Sequence, residues 1–527
     1  MRFTIPRPRT VTAIFFGLVV ALALVIIWKY DPPQRNMDGD ASFMLYAGQQ
    51  ILRGNAPYKT VGIVKLPFSP ILAATGIAAG RAFGLADVLG GRYIFVLCAA
   101  LAVGATFLVG KQLGGFEFGV LSALALLGLQ TFGIHAARGP EPKMALVTAG
   151  MLCVWFLAKR KWFAAGIAAA CAFLTWQPGL IFVACAFLAP LLETRAKRRR
   201  GLAWSSAGIL LPLLLVGIYL FANEALTPMW NQTIGANANY FQERKAAAGL
   251  WNVVTSNVTR LWTVTNSCAT TEPALLFLGW LGLFGGSTFV LWRAGKIILN
   301  LRAQSLDDSQ KQFLLNTLPL VLTGGALFGF SLLDVQSCMD FVPLMPYFAL
   351  GAGLVLFCVV GWLAALAAQR NVFPKTRAVI FSSVVLALAL LVYGTRDVWT
   401  LPRQIGLPRQ MQLAQNLERL LAPDDKVQQF GDAAFFVLTG RQNATPFLHL
   451  GEKQGRGILQ AEGMTINDLN AELETLQPRL VMISRGRAKG WAKPLFNWLD
   501  EHYTLDGSYK KNQGSARTKT DVWRRVE

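Results

Sequence analysis

Charge is scarce in this chain, and negative charge scarcer still. Of 527 residues only 15% are charged, against about 25% in a soluble protein. There are 29 acids to 50 bases, and only three histidines. The Walker phosphate loop, GxGxxG after a strand, HExxH and GxSxG are all missing, which argues against a nucleotide-powered pump. The seven cysteines show no CxxC or paired spacing, so neither a metal cluster nor a disulfide framework is indicated. No basic stripe carries interleaved aromatics, which leaves the net charge of +21 without a nucleic-acid explanation.

What the chain has instead is hydrophobic sequence, 54% of it. Several runs reach the roughly 18 apolar residues needed to span a bilayer, so the chain reads as a polytopic α-helical membrane protein. Arg2, Arg7 and Arg9 precede the first run, 11–28, and no small-residue cleavage site follows it; an uncleaved anchor with a cytoplasmic N-terminus is expected. Lys159-Arg160-Lys161 and the run Arg195–Arg200 mark two further cytoplasmic loops, enclosing a short hairpin broken at Gln177-Pro178-Gly179.

Parity does the rest. With 159–161 inside, 144–158 descends, 117–134 ascends and 92–110 descends, which places His135–Lys143 outside and leaves 66–83 lying in the outer leaflet. Downstream, 201–221, 274–292, 313–332, 342–366 and 378–395 alternate, with Arg293, Lys296 and Arg370–Arg377 inside. The expectation is about eleven crossings within a transmembrane unit of residues 1–395. Residues 31–91 form one long outer segment and 222–273 a polar outer loop. From Arg396 polar residues become frequent. Short strands are expected at Val427–Phe430 and Leu480–Ile483, helices at 405–421 and 466–477, and hence a soluble extracytoplasmic α/β domain over 396–527.

The outer segments carry the reactive groups. Asp38 and Asp40 follow the first crossing. Met44, Leu45, Gly48, Ile51 and Leu52 then share one face at helical spacing, the pattern of a lipid-contacting helix. Asp40 either caps that helix or acts as a base, with Asp38 as alternative or orienting partner. The series Arg53, Lys59, Lys65 supplies cations nearby. In the second outer loop Glu141 is a second acid, a metal ligand together with Asp38, or an ion-pair partner of Arg138 or Lys143; His135 reads as a solvated helix end. In the loop 222–273 aromatic and amide residues suit a sugar, and Arg244 and Arg260 present planar forks to a phosphate.

These residues resemble the GT-C class of membrane glycosyltransferases, which take sugars from polyprenyl phosphates, and in particular the protein-mannosyltransferase and aminoarabinose-transferase-like family. The likeness runs through Asp40, Tyr46, Ala47, Leu52, Gly54, Pro57-Tyr58 and Lys65-Leu66-Pro67, then Arg138-Gly139-Pro140-Glu141, then Asp340-Phe341-Val342-Pro343-Leu344-Met345-Pro346, and Gly431-Asp432 with Thr439-Gly440-Arg441. Two positions depart from the pattern: Gln177 stands where a lysine is usual, and Asp340 where a basic residue is usual.

The resemblance implies an inverting transfer from a polyprenyl-phosphate sugar to a glycan, lipid or protein acceptor on the outer face of a bacterial inner membrane. Asp40 would be the base, Asp38 and Glu141 would stand beside it, and Tyr46, Tyr58, Lys59, Lys65, Arg138, Asp340 and Arg441 would contact substrate. No cofactor is implied, although the three acids are of the type that ligates Mg²⁺ or Mn²⁺. Two other functions compete: a lipid-linked-sugar transporter or flippase, and a non-catalytic envelope assembly protein. A transporter favours charged or broken helices near the midplane, whereas the acids here lie in loops.

Overall fold

The computed structural model describes residues 8–239, 242, 249–268, 273–300, 307–333, 338–369, 375–401, 404–449, 455–484, 490–510 and 519–526. Helix α1 (Pro8–Lys29) is followed by α2 (Gly39–Leu52), α3 (Phe68–Ala82), α4 (Asp87–Gly114), α5 (Phe116–Gly128), α6 (Gln130–Arg138) and α7 (Pro142–Ala158). The hairpin is α8 (Trp162–Thr175) and α9 (Leu180–Leu188), and α10 (Arg195–Ala222) and α11 (Leu226–Trp230) come next. Helices α12 (Leu250–Cys268), α13 (Pro273–Asn300), α14 (Asp308–Leu333), α15 (Met345–Gln369) and α16 (Lys375–Thr395) complete the bundle.

Among the described residues seven helices are long and apolar enough to cross a membrane, or eight if the pair α5 and α6, bent by 65°, counts as one span. The segments Pro142–Ala158, Trp162–Thr175 and Gln177–Leu192 are apolar but shorter. Helices α1, α10, α13 and α16 turn large apolar side chains outward, including Leu18, Leu215, Phe284 and Leu388. A soluble protein does not sustain such a belt, and the chain is an integral membrane protein. The segment expected to lie in the outer leaflet is α3, packed on α2 and α4.

Two sequence-based expectations change. The described residues of the loop 222–273 are largely helical: in α12 Val253 and Asn257 are buried, and Asn257 Nδ2 donates to the Leu332 carbonyl at 2.9 Å. Helix α2, read as lipid-contacting, is buried from Ala41 to Gln50. Part of its polar face is bonded to protein: Ser42 Oγ donates to Asp432 at 2.9 Å, and Gln49 Nε2 to Asp87 at 2.8 Å and to the Val437 carbonyl at 3.1 Å, while Gln49 Oε1 and Gln50 Nε2 are buried without a hydrogen-bond partner among the described residues. Gly48 permits the close packing, since a Cβ there would stand 2.8 Å from the Ala74 nitrogen.

The C-terminal part contains α17 (Gly406–Glu418), α18 (Ala434–Thr439), α19 (Gly457–Ala461), α20 (Ile466–Leu476) and α21 (Lys493–His502) around four strands. These are β1 (Val427–Phe430), β2 (Leu480–Ser484), β3 (Tyr503–Lys510) and β4 (Lys519–Arg525), in the order β1-β2-β4-β3. β1 runs parallel to β2, with Val427 opposite Leu480, and β4 is antiparallel to β2, with Val522 opposite Met482. Leu480–Ile483 is buried without alternation, as a strand covered on both faces must be. One core joins this sheet to the segment after α1: Met37, Leu45, Tyr46 and Tyr58 pack in the same cluster as Leu407, Phe436, Leu480 and Val522.

Candidate active site

The first acid pair divides its labour differently from the sequence reading. Asp38, not Asp40, is the N-cap of α2: its backbone is extended and its carboxylate accepts from the Ala41 nitrogen at 2.9 Å, satisfying one of the orphan amides of the first turn. Asp40 sits inside that first turn, half-buried.

Glu141 lies between α6 and α7 and caps α7, one carboxylate oxygen accepting from the Lys143 nitrogen at 3.2 Å. Only 4% of it is exposed. Burial, reinforced by Asp40 and Asp38 and opposed by Lys143, pushes its carboxyl up to about 7, because taking a charge out of water favours the protonated form. The expected ion pair of Glu141 with Arg138 or Lys143 gives way to another: the Lys143 ammonium is 2.9 Å from Asp340 Oδ1. Asp340 sits on the 3₁₀ turn Cys338–Leu344. His135, read as a solvated helix end, is buried, as are its helix neighbours Ala136 and Ala137.

Lys65 completes the group. It is held by a backbone tied at several points: the Tyr58 hydroxyl donates to the Lys65 carbonyl at 2.8 Å, and Gln177 Nε2 to the Val64 carbonyl at 3.0 Å. Gln232 Nε2 donates to the Tyr58 carbonyl at 2.8 Å, while its carbonyl oxygen accepts from the Ile63 nitrogen at 3.1 Å. Burial and the nearby Lys143 lower the Lys65 pKa, and Asp40, Glu141 and Asp340 oppose that shift. The Trp176 ring lies 5.3 Å from Lys65 Nζ and 5.4 Å from Lys143 Nζ, within cation–π range of both. Carboxylates from α2, the α6–α7 turn and the 338–344 turn thus lie within electrostatic range of two ammonium groups.

The remaining sequence-derived residues do other things. The Tyr46 hydroxyl accepts from the Asn443 nitrogen at 2.9 Å, and its ring packs 5.4 Å from Phe436, so it joins α2 to the C-terminal part. Lys59 forms an exposed ion pair with Glu224 at 3.0 Å. Arg138 ends α6 and lies close enough to Arg35 for their repulsion, after burial, to lower Arg35 to about 10. Arg441 grips both oxygens of Glu418, at 2.8 and 2.9 Å. Arg260 is exposed on α12, and Arg244 lies outside the described residues. Sequence reasoning passed over Trp176 and noted Gln177 only as a lost cation; the aromatic beside a helix-breaking Pro178 was the available signal. Among the described residues no three His, Cys, Asp or Glu side chains come together as a metal site.

The membrane-embedded helical bundle with its small C-terminal α/β unit has the GT-C fold. Crystal structures of ArnT from Cupriavidus metallidurans are similar along nearly the whole chain. The form bound to undecaprenyl phosphate shares 18% identity with a TM-score of 0.55, and the apo form 16% with 0.53; each match covers 97% of this chain and 98% of that one. Archaeal oligosaccharyltransferase AglB from Archaeoglobus fulgidus, in complex with an inhibitory peptide and a dolichol-phosphate, matches with 14% identity and a TM-score of 0.48, over 89% of this chain and 69% of that chain. No family model and no curated protein matches the sequence.

Proposed function

We propose that this protein is an inverting glycosyltransferase that takes a sugar from a polyprenyl-phosphate donor and passes it to an acceptor hydroxyl of the bacterial envelope, on the outer face of the inner membrane. The observation that carries the reading is that Asp40, Glu141 and Asp340 lie within electrostatic range of Lys65 and Lys143. The undecaprenyl phosphate in the similar ArnT structure supports a lipid-linked donor.

In this mechanism Asp40 takes the proton of the acceptor hydroxyl as that oxygen attacks the anomeric carbon. The bond from that carbon to the phosphate oxygen breaks, and its electron pair leaves with polyprenyl phosphate. Lys65 and Lys143 stabilise the growing phosphate charge, which is worth most where water is excluded. Glu141, half-protonated near neutrality, serves as a hydrogen-bond donor or acceptor to the sugar. The prenyl chain has room in an apolar cavity of about 600 Å³ between α13, α14 and α15, lined by Trp280, Leu320, Phe328, Leu344 and Tyr347; Leu344 ends the turn that carries Asp340.

Mass spectrometry of envelope glycans, lipids and proteins from cells carrying Asp40→Asn or the unaltered chain tests the reading. Loss of one sugar residue with normal protein abundance is expected; an unchanged envelope in both Asp40→Asn and Asp38→Asn cells would reject the assignment of the base.

A further inference from the structure

Arg92 lies near the N-terminus of α4, and it is wholly buried. Its Nε donates to the Gly139 carbonyl at 3.0 Å, and one terminal nitrogen donates to the Arg35 carbonyl at 2.9 Å and to the Pro32 carbonyl. Its second terminal nitrogen is buried without a hydrogen-bond partner among the described residues. A buried guanidinium spent on backbone carbonyls is costly.

The two segments it joins are far apart in sequence and alike in content. Gly139 is two residues before Glu141, and Arg35 is three residues before Asp38 and five before Asp40. Neither segment belongs to a regular element at those carbonyls, so their relative position depends on what bridges them. Arginine suits the task because its planar fork addresses several acceptors in fixed directions; a lysine offers one flexible point. Its charge also interacts favourably with Asp38.

We infer that Arg92 is a positioning residue: by clamping the Pro32–Arg35 segment to the Gly139 turn it sets the spacing between the Asp38–Asp40 pair and Glu141. The inference rests on the transferase reading above for its catalytic consequence, though the clamp itself does not.

The test uses the full chain in lipid nanodiscs, unaltered and as Arg92→Lys. Hydrogen–deuterium exchange is followed in residues 31–38 and 135–141, with 427–430 and 480–484 of the sheet as internal control. In the unaltered protein the two clamped segments should open at one common rate, as a cooperative unit does. In Arg92→Lys both should exchange at least tenfold faster while the sheet is unchanged. Transfer in membranes should fall by about 10²-fold, the scale of an ångström's misplacement, and the inflection near pH 7 due to Glu141 should move to lower pH. Separate opening rates in the unaltered protein, or native protection of both segments in Arg92→Lys, would overturn the clamp. Opened segments with an unmoved rate and pH inflection would overturn the positioning role. If even the unaltered protein transfers no sugar, the transferase reading fails while the exchange data still decide the clamp.

Discussion

Lys143 and Asp340 stand 197 residues apart in sequence, yet their charged groups are 2.9 Å apart with 6% and 16% of the side chains exposed. This pair joins α7 to the turn before α15 and places an ammonium beside Glu141 without neutralising it. Asp340, where the resemblance leads one to expect a basic residue, instead holds a cation supplied from α7.

Breaking the pair from one side should therefore cost more than removing it. Lys143→Met takes that ammonium away from the half-buried Asp340 carboxylate, at a cost of about 1.5–3 kcal/mol, readable as a lowered melting temperature in nanodiscs. Lys143→Met with Asp340→Leu should recover most of that stability while transfer stays low, because the cation near the departing phosphate is still gone. Full recovery of transfer in the double variant would limit Lys143 to a structural role.

The two aspartates should separate cleanly. Asp38→Asn retains a good cap, whereas Asp38→Ala loses it at about 1 kcal/mol; the first should melt like the unaltered protein and the second a few degrees lower. Asp40→Asn removes a base without removing a cap and should cost about 10²–10⁴-fold in rate at constant stability. The reverse assignment would show Asp38→Asn as the inactive variant.

Much of this arrangement was legible before any coordinates. The alternation of basic loops placed Asp40 and Glu141 on one side of the membrane, and the structure puts them within electrostatic reach. The side-chain partners were not legible. Lys143 chooses Asp340 over its near neighbour Glu141, and that choice depends on where a turn two hundred residues away is packed. The burial of α2, read as a lipid-contacting helix, was hidden for the same reason: Ser42 faces Asp432 across 390 residues. Helix α12 escaped notice because Asn and Thr are weak helix formers and its buried stripe, Val253 and Asn257, is interrupted by them.

Glu141 gives a pH dependence whose sign is fixed. Its carboxyl is near 7 in the folded protein, raised from an ordinary value of 4.5. Between those two values the folded state binds more protons than the unfolded one, so stability falls as pH rises. The contribution is complete below about pH 4.5 and lost through pH 7, on the order of 3 kcal/mol in all. Glu141→Gln should remove that slope. Melting curves at pH 5 and pH 8 would differ less for the variant than for the unaltered protein; equal differences would mean that Glu141 ionises normally.

Transfer is expected to survive a chelator. Lys65 and Lys143 already supply positive charge among the carboxylates, the task a divalent ion would otherwise perform at a departing phosphate. Activity measured after EDTA treatment and again with added Mg²⁺ or Mn²⁺ checks this. A loss on chelation restored by either ion would make Asp38, Asp40 and Glu141 the ligands to examine first.

Arg441 separates what resemblance implies from what geometry does. Its family-like position suggested a substrate contact, but its guanidinium is committed to Glu418 and to the carbonyls of Ala422 at 2.8 Å, Pro423 at 3.2 Å and Asp425 at 2.9 Å. Those bonds fasten the chain between α17 and β1, where Ala422 to Asp425 would otherwise have no regular structure to hold them. Arg441→Met should therefore destabilise the C-terminal part by about 1.5–3 kcal/mol, the usual worth of hydrogen bonds to a charged group, and leave the transfer rate per folded molecule unchanged. Glu418→Gln should destabilise less, since Glu418 is 37% exposed and water takes over part of its role. A variant with normal melting and a raised KM for the polyprenyl donor would return Arg441 to the substrate site.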